Sequence, residues 1–466
     1  MATPWDAIYE EILCFSSGQK RGEFLKVRRL GKVLRILHQH RDEAEIQRLL
    51  SRSPFAGTEE QAAVAARIVE EVRREGNAAV LRYTRQFDCP TLTVEQMRVS
   101  EEEIESAQTQ VSEEFRAALR RAKDNLTDFH QRQRRESWLH FRETGGAVGQ
   151  RFVPLARVGM YVPGGQVPLP SSVLALGVPA RVAGVEELVL CSPCDPEGKI
   201  NPHTLTAAAA LGIGEIYKIG GAQAIAALAF GTETIRPVDK IVGPGNPYVT
   251  HAKRLVFGYV GIDRLAGPSE ILILADDTAN PRCVAADLLS QAEHSPDARA
   301  LLITPSGQLA EAVRQEMEQQ MATAVRREVM QAALRDYGAL IVVDDLAAGV
   351  ELVNRCAPEH LELLVQEPYT WLPHIRHAGA IFLGEYSPES VGDYLAGPSH
   401  VLPTGGTARF SSPVTVDDFL KVSSIIAYRR EELAAEAEAI VTLATVEGLE
   451  AHARAVQVRT HKGEQP

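Results

Sequence analysis

Ile271-Leu-Ile-Leu-Ala275, Asn280-Pro281 and Asp287-Leu-Leu-Ser-Gln291-Ala-Glu-His294 follow one another in one stretch of the chain, and their order decides the fold class. The first is an apolar, β-branched run of strand length. Asn280-Pro281 is an N-cap followed by proline at the first helical position. The helix it starts ends at His294, and Ala300-Leu-Leu-Ile-Thr304 then reads as another strand. Strand, helix, strand is a βαβ unit, the building block of a parallel sheet. Gln291 and His294 are three apart and share a helix face. An amide oxygen and an imidazole nitrogen can each bind a divalent cation.

The same alternation extends both ways. Glu187-Leu-Val-Leu-Cys191, Glu215-Ile-Tyr-Lys-Ile219, Lys240-Ile-Val242, Ala339-Leu-Ile-Val-Val-Asp344 and Gly379-Ala-Ile-Phe-Leu383 complete a set of seven strand runs. Seven exceed one mononucleotide-binding half. The pattern predicts an α/β protein of two doubly wound halves, joined near Ala266-Gly-Pro-Ser269. Residues 1–30 read as a weakly amphipathic extension to which no function attaches. Residues 31–140 read as a helical region, with capping-box spacing at Thr58/Gln61 and Ser100/Glu103. The first half spans 141–265 and the second 266–400. From 401 to 466 the pattern predicts a helical arm, running through Glu431-Glu-Leu-Ala-Ala-Glu-Ala-Glu-Ala-Ile440 to His452.

Bulk properties exclude several classes. A length of 466 residues, 45% hydrophobic and 24% charged, suits a globular protein with a substantial core. The net charge of −12 gives no general attraction to nucleic acid. No apolar run is long enough to span a bilayer. The first residues lack the apolar core of a signal peptide, so a reducing cytoplasm is expected. Six cysteines in a chain this long do not make a disulfide framework. Cys191-Ser-Pro-Cys194 has CxxC spacing but no second pair to complete a zinc site.

Several loops could carry chemistry. Tyr161-Val-Pro-Gly-Gly165, Gly220-Gly-Ala-Gln223 and Gly243-Pro-Gly-Asn246 each follow a strand run. Glycines at strand carboxyl ends admit a dinucleotide or phosphate, or simply make tight turns, and the spacing leaves both readings open. Ala357-Pro-Glu359-His360 sets an acid and an imidazole side by side, a pair able to manage two proton transfers. On a regular strand they would face opposite ways, and a surface glutamate in a polar loop fits as well. Asp393 and His400 lie in a Gly- and Pro-rich stretch read as a loop at the same sheet edge. Glu447 and His452 stand five apart near the end of the last helix, not on one face. His374-Ile-Arg-His377 reads as a surface pair on a basic helix.

Taken together these segments resemble one family, the histidinol dehydrogenases. The resemblance starts near residue 30 and rests on Tyr161-Val-Pro-Gly-Gly, Gly220-Gly-Ala-Gln-Ala-Ile-Ala-Ala-Leu-Ala-Phe-Gly231, Gly243-Pro-Gly-Asn, Ala266-Gly-Pro-Ser-Glu, Ser290-Gln-Ala-Glu-His, Ala357-Pro-Glu-His-Leu-Glu and His400-Val-Leu-Pro-Thr-Gly-Gly. It implies two Rossmann-like domains with N- and C-terminal helical arms, intertwined in a homodimer with shared active sites. It implies oxidation of L-histidinol to L-histidine through L-histidinaldehyde, a four-electron reaction using NAD, as the last step of histidine biosynthesis. One zinc per subunit is implied on Gln291, His294, Asp393 and His452, the last with Glu447 from the partner. NAD contacts are implied at Tyr161, Gln223 and Asn246. Substrate contacts are implied at Ser269, Gln291, His294, His360, Asp393, His400, Glu447 and His452, with Glu359 and His360 as proton acceptors. A zinc dehydrogenase of another primary alcohol is the alternative, and a ligand sensor on the same fold a third. Glu447 and His400 argue against the former, and the intact Glu359–His360 pair against the latter.

Overall fold

A computed structural model describes residues 34–51, 57–164 and 167–460. The expected extension over 1–30 and the last glycine of Tyr161-Val-Pro-Gly-Gly165 lie outside them. The strands are β1 (Arg35–His38), β2 (Trp138–Phe141), β3 (Ala147–Pro154), β4 (Arg157–Tyr161), β5 (Glu187–Cys191), β6 (Glu215–Tyr217), β7 (Lys240–Val242), β8 (Gly261–Ile262), β9 (Glu270–Ala275), β10 (Arg299–Thr304), β11 (Ala339–Val342), β12 (His360–Leu364), β13 (Ala380–Leu383) and β14 (Leu420–Ala427).

Two sheets are wholly parallel, ordered β6-β5-β4-β7-β8 and β1-β11-β10-β9-β12-β13. Each is wound the same way. Leaving aside β1, which joins the second sheet at its edge, the first strand of each, β4 or β9, sits inside, the chain steps outward through two strands, then returns to the other side. All seven expected runs are strands. Every residue of β9 and β10 is buried, because helices cover both faces of the second sheet. Alternate side chains serve different cores. Ile271 and Ile273 pack with the helix Pro281–Ala292, while Leu272 and Leu274 pack with the helix Leu346–Cys356.

The anticipated caps form. Thr58 with Gln61 and Ser100 with Glu103 make reciprocal capping boxes, and Asn280 accepts from the Arg282 amide at 3.0 Å.

Two expectations are corrected. The region 31–140 is not purely helical, since β1 adds a parallel edge strand beside β11, about 300 residues later in the chain. Four residues are too few to show a period, and the partner is remote. The segment after 401 is not purely helical either. β14 pairs antiparallel with β3 along eight residues, in a third sheet ordered β14-β3-β2. Only then do the helices Arg430–Val446 and Glu450–Thr460 follow, broken at Gly448 with φ 71°.

Phe419 fastens this C-terminal segment to the first core. It is wholly buried, and its carbonyl accepts the Leu155 amide at 2.9 Å. Phe419→Ala should lower the free energy of unfolding by about 3–5 kcal/mol, read from urea denaturation.

Candidate active site between the parallel sheets

The two sheets meet edge to site in opposite senses. The first contributes carboxyl ends: Tyr161 closes β4, Gly220-Gly221 follows β6 and Gly243 follows β7. The second contributes amino ends: Glu270 opens β9, His360 opens β12, and Gln291 stands in the last turn of the helix that leads into β10, which ends at Ala292 rather than at the expected His294 and leaves His294 in the turn beyond. Sequence reading put the Asp393–His400 stretch in a loop beyond a strand's carboxyl end. Asp393 instead lies on a short helix, Glu389–Tyr394. The chain then passes the start of β9, where the Gly405 amide donates to Glu270 Oε1 at 3.1 Å.

Glu359 and His360 are brought together by one peptide unit on each side of Glu270. The Glu270 amide donates to Glu359 Oε2 at 2.8 Å, and the His360 Nδ1 donates to the Glu270 carbonyl at 2.9 Å. That bond assigns the tautomer and leaves His360 Nε2 buried with no hydrogen bond, ready to accept a proton. Glu359 Oε2 lies 3.8 Å from His360 Nδ1. The turn before them is unusual, with Ala357 left-handed at φ 50°. The surface-glutamate alternative fails, since Glu359 and His360 are 7% and 4% exposed. Burial pushes the His360 pKa down to about 4 and raises the Glu359 carboxyl well above its usual range. His360 is therefore neutral at ordinary pH, and Glu359 is a stronger base than a solvated carboxylate.

Glu270 is itself fixed. Its carboxylate is wholly buried with the Arg299 guanidinium 3.9 Å away, and Arg299 also donates to Cys356 Sγ at 3.1 Å.

Beside this pair, His294, Glu389 and Asp393 each offer a ligand atom, and the three atoms lie within 4.8 Å of one another. Gln291 is fully buried with neither amide atom hydrogen-bonded. Glu389 Oε1 is also buried without a hydrogen bond, 3.9 Å from His360 Nε2. Burial, with the Asp393 carboxylate adding, pushes the Glu389 carboxyl up to about 8. Glu362, whose Oε1 accepts the Glu389 amide at 2.8 Å, is raised too, chiefly by burial and then by Asp287. Crowded buried carboxylates need protons or a cation. Unsatisfied amide, imidazole and carboxylate donors suit a divalent ion such as zinc. Glu389 escaped sequence reading, although Glu389-Ser-Val-Gly-Asp393 has i, i+4 spacing on one helix face.

Glu447 and His452 do not join this group within the chain. They lie not on one helix but on either side of the Gly448 break, and both are exposed. His400 links the two halves, its Nε2 3.1 Å from Ser172 Oγ and its Nδ1 2.9 Å from the Asp393 carbonyl. The Ser269 carbonyl accepts the Arg299 amide at 2.9 Å, so its loop enters β9 beside the same centre.

The glycine turns are tightly built. Gly243 has φ 122°, and a Cβ there would sit 2.0 Å from the Tyr161 carbonyl oxygen. The Gly221 amide donates to the buried Tyr161 hydroxyl at 3.2 Å. Gln223 is buried with both amide atoms unsatisfied. The Asn246 side chain accepts the Val249 amide at 3.1 Å, capping the helix Pro247–Val256. Cys191 and Cys194 are buried free thiols, and burial pushes Cys194 up to about 12, so the CxxC is packing.

The histidinol dehydrogenase family model matches residues 52–460. A histidinol dehydrogenase of Geobacillus kaustophilus is 52% identical over 415 residues, 89% of this chain and 97% of that one. One from Moorella thermoacetica is 56% identical over 399 residues, 85% and 94%. The crystal structure of histidinol dehydrogenase from Elizabethkingia anophelis superposes with a TM-score of 0.87 at 38% identity, covering 92% of this chain and 98% of that one.

Arg299→Met removes the cation beside a wholly buried Glu270 carboxylate. Unfolding by urea should show a loss of about 3–5 kcal/mol. Dehydrogenase turnover should fall with it, because the Glu270 peptide holds both Glu359 and His360.

Proposed function

The chain belongs to the histidinol dehydrogenase family, and on that premise we propose how its residues divide the reaction. The enzyme oxidises L-histidinol to L-histidine through the aldehyde, is NAD-dependent and contains zinc. Gln291, His294 and Asp393 hold the zinc from this chain, and His452 completes the set from a second copy. When bound, the ion supplies positive charge that orients the substrate's imidazole and amine. Ser269, His360, His400 and the partner copy's Glu447 line the substrate with the same ligands. Tyr161, Gln223 and Asn246 hold the dinucleotide, which supplies the hydride acceptor in each of two rounds.

Two proton transfers fall to the pair on Glu270. His360 Nε2 takes the proton of the substrate hydroxyl as the alcohol becomes an aldehyde. Glu359 takes a proton from the water that adds to the aldehyde, and its raised pKa strengthens it for that role. The burial of both keeps bulk water from the aldehyde between steps. The observation that carries this reading is the Glu270 peptide, which turns a strand-neighbour pair toward one metal-ready group.

The two parallel sheets serve as Rossmann-like halves over 141–265 and 266–400, preceded by a mainly helical region over 31–140 that lends β1 to the second sheet and followed by an arm over 401–466. The arm is the natural route to a homodimer. It carries Val422 and Ile426 on β14, with Leu443, Val446 and Val458 beyond, all exposed and apolar. Glu447 and His452 sit on that same arm, outside the group their chemistry would join. We place the enzyme in the cytoplasm, on its biosynthetic role. Among the described residues no helix is long and apolar enough to cross a membrane.

NADH released per histidinol consumed should be two, and a ratio of one would reduce the enzyme to a simple alcohol dehydrogenase. Glu359→Gln should slow oxidation of added aldehyde about tenfold or more beyond its effect on the alcohol step. Equal losses would reassign the water-activating base. His452→Ala and Asp393→Ala chains, each inactive alone, should recover activity when refolded together, and verified hybrids without activity would confine each site to one chain.

A further inference from the structure

Asp88 lies outside both parallel sheets, at the C-terminal end of the helix Asn77–Phe87, in the region whose sequence suggested only helical packing. Its carboxylate nevertheless reaches the cofactor turns. A Cβ on Gly220 would stand 3.3 Å from Asp88 Oδ2 and 2.8 Å from Pro193 Cβ. A Cβ on Gly164 would stand 2.9 Å from Ser192 Oγ and 3.4 Å from the Pro193 carbonyl. The turn after β4, the segment after β5 and the turn after β6 therefore converge around Pro193, with Asp88 against them. Glycine at Gly164 and Gly220 keeps that approach open. Tyr161 and Gln223, two of the dinucleotide contacts proposed above, belong to the same turns.

The state of this carboxylate needs explaining. Asp88 Oδ2 is buried without a hydrogen bond of normal geometry, the Gly220 amide being the donor that faces it, and among the described residues Asp88 forms no ion pair. Lys218, the cation that directly follows β6, pairs with Glu103 at 2.6 Å. Burial pushes the Asp88 carboxyl up to about 6, with only the Gly220 amide drawing it back. A structural acid is normally paired or hydrogen-bonded. One left lacking at a cofactor edge awaits donors from the ligand. A phosphate is the wrong occupant, since like charges repel. A ribose offers two adjacent hydroxyl donors that a carboxylate can accept together.

We propose that Asp88 determines the choice of dinucleotide, accepting hydrogen bonds from a ribose vicinal diol and turning away a cofactor phosphorylated at that position. This rests on the cofactor reading above, in which the turns at Tyr161 and Gln223 bind NAD. Asp88 is then the acid that dinucleotide sites place against the ribose, supplied here by a helix from outside the sheet.

The test compares NAD with NADP on the zinc-loaded enzyme, using kcat/KM for histidinol oxidation and Kd from quenching by NADH and NADPH. The parent should favour NAD. Asp88→Asn and Asp88→Ala should cut that preference about tenfold or more, through KM and Kd rather than kcat, with KM for histidinol unchanged. Asp88→Glu should keep much of the preference, because it keeps the charge. The readout is a ratio between cofactors, so a smaller folded fraction cancels. A parent indifferent to the phosphate would overturn the proposal, as would Asp88 variants that shift both cofactors by one factor or neither. Gln223→Ala, measured alongside, separates the two ideas. If it weakens NAD while the Asp88 ratio stays fixed, only the role of Asp88 falls. If it leaves NAD binding untouched, the cofactor reading falls and takes the proposal with it.

Discussion

The peptide groups on either side of the Glu270 α-carbon are the constraint on which the site depends. The amide holds Glu359 and the carbonyl holds His360, so two side chains that a straight strand would separate stand 3.8 Å apart. A backbone group at the start of a buried central strand is a rigid anchor, since β9 is paired on both sides. The cost of that anchor is a carboxylate, Glu270, wholly buried at the strand's first position. Arg299 and the Gly405 amide offset it, which ties Glu359 and His360 to the start of β10 and to the chain beyond His400. Small displacements of any of these elements would reach the Glu359 carboxylate and the His360 ring.

Around the anchor, burial sets the chemistry. The same desolvation that depresses His360 raises Glu359, Glu362 and Glu389. One acid environment thus yields a neutral imidazole with a free lone pair and carboxyls that bind protons or a cation strongly. Gln291 contributes no charge but leaves its oxygen unspent in the same neighbourhood of the helix end that bears His294. A divalent ion held by His294, Glu389 and Asp393 would offset the charge of the two carboxylates among them. The glycine turns of the first sheet are built differently, from backbone. Lys253 donates to the Gly243 carbonyl at 2.9 Å and pairs with Asp263, whose other oxygen accepts the Gly243 amide at 2.8 Å. This clamp holds a glycine turn against Tyr161.

Much of this was legible in the residues. Seven strand runs, the helix caps and the segments carrying the family resemblance are local signals, and local signals survive without knowledge of partners. β1 was not legible, because four residues show no period and its partner β11 lies about 300 residues on. β14 was hidden for a similar reason, since its partner β3 lies about 270 residues earlier. Glu389 could have been read from its i, i+4 relation to Asp393, but Asp88 could not. Nothing near an aspartate after a helix announces that it will face Gly220.

The sequence by itself determined the α/β class, the two windings and the inventory of chemical groups, because hydrophobic period and turn residues act within a few positions. Only the tertiary structure decided how those groups meet. It set His294, first seen with Gln291 as one of two ligands on one helix face, against Glu389 and Asp393 from a helix about 100 residues later. It placed the second sheet's contribution at strand amino ends and left Glu447 and His452 outside the chain's own site. Distances between remote segments follow from packing and from the burial of charge, which no short stretch of sequence encodes.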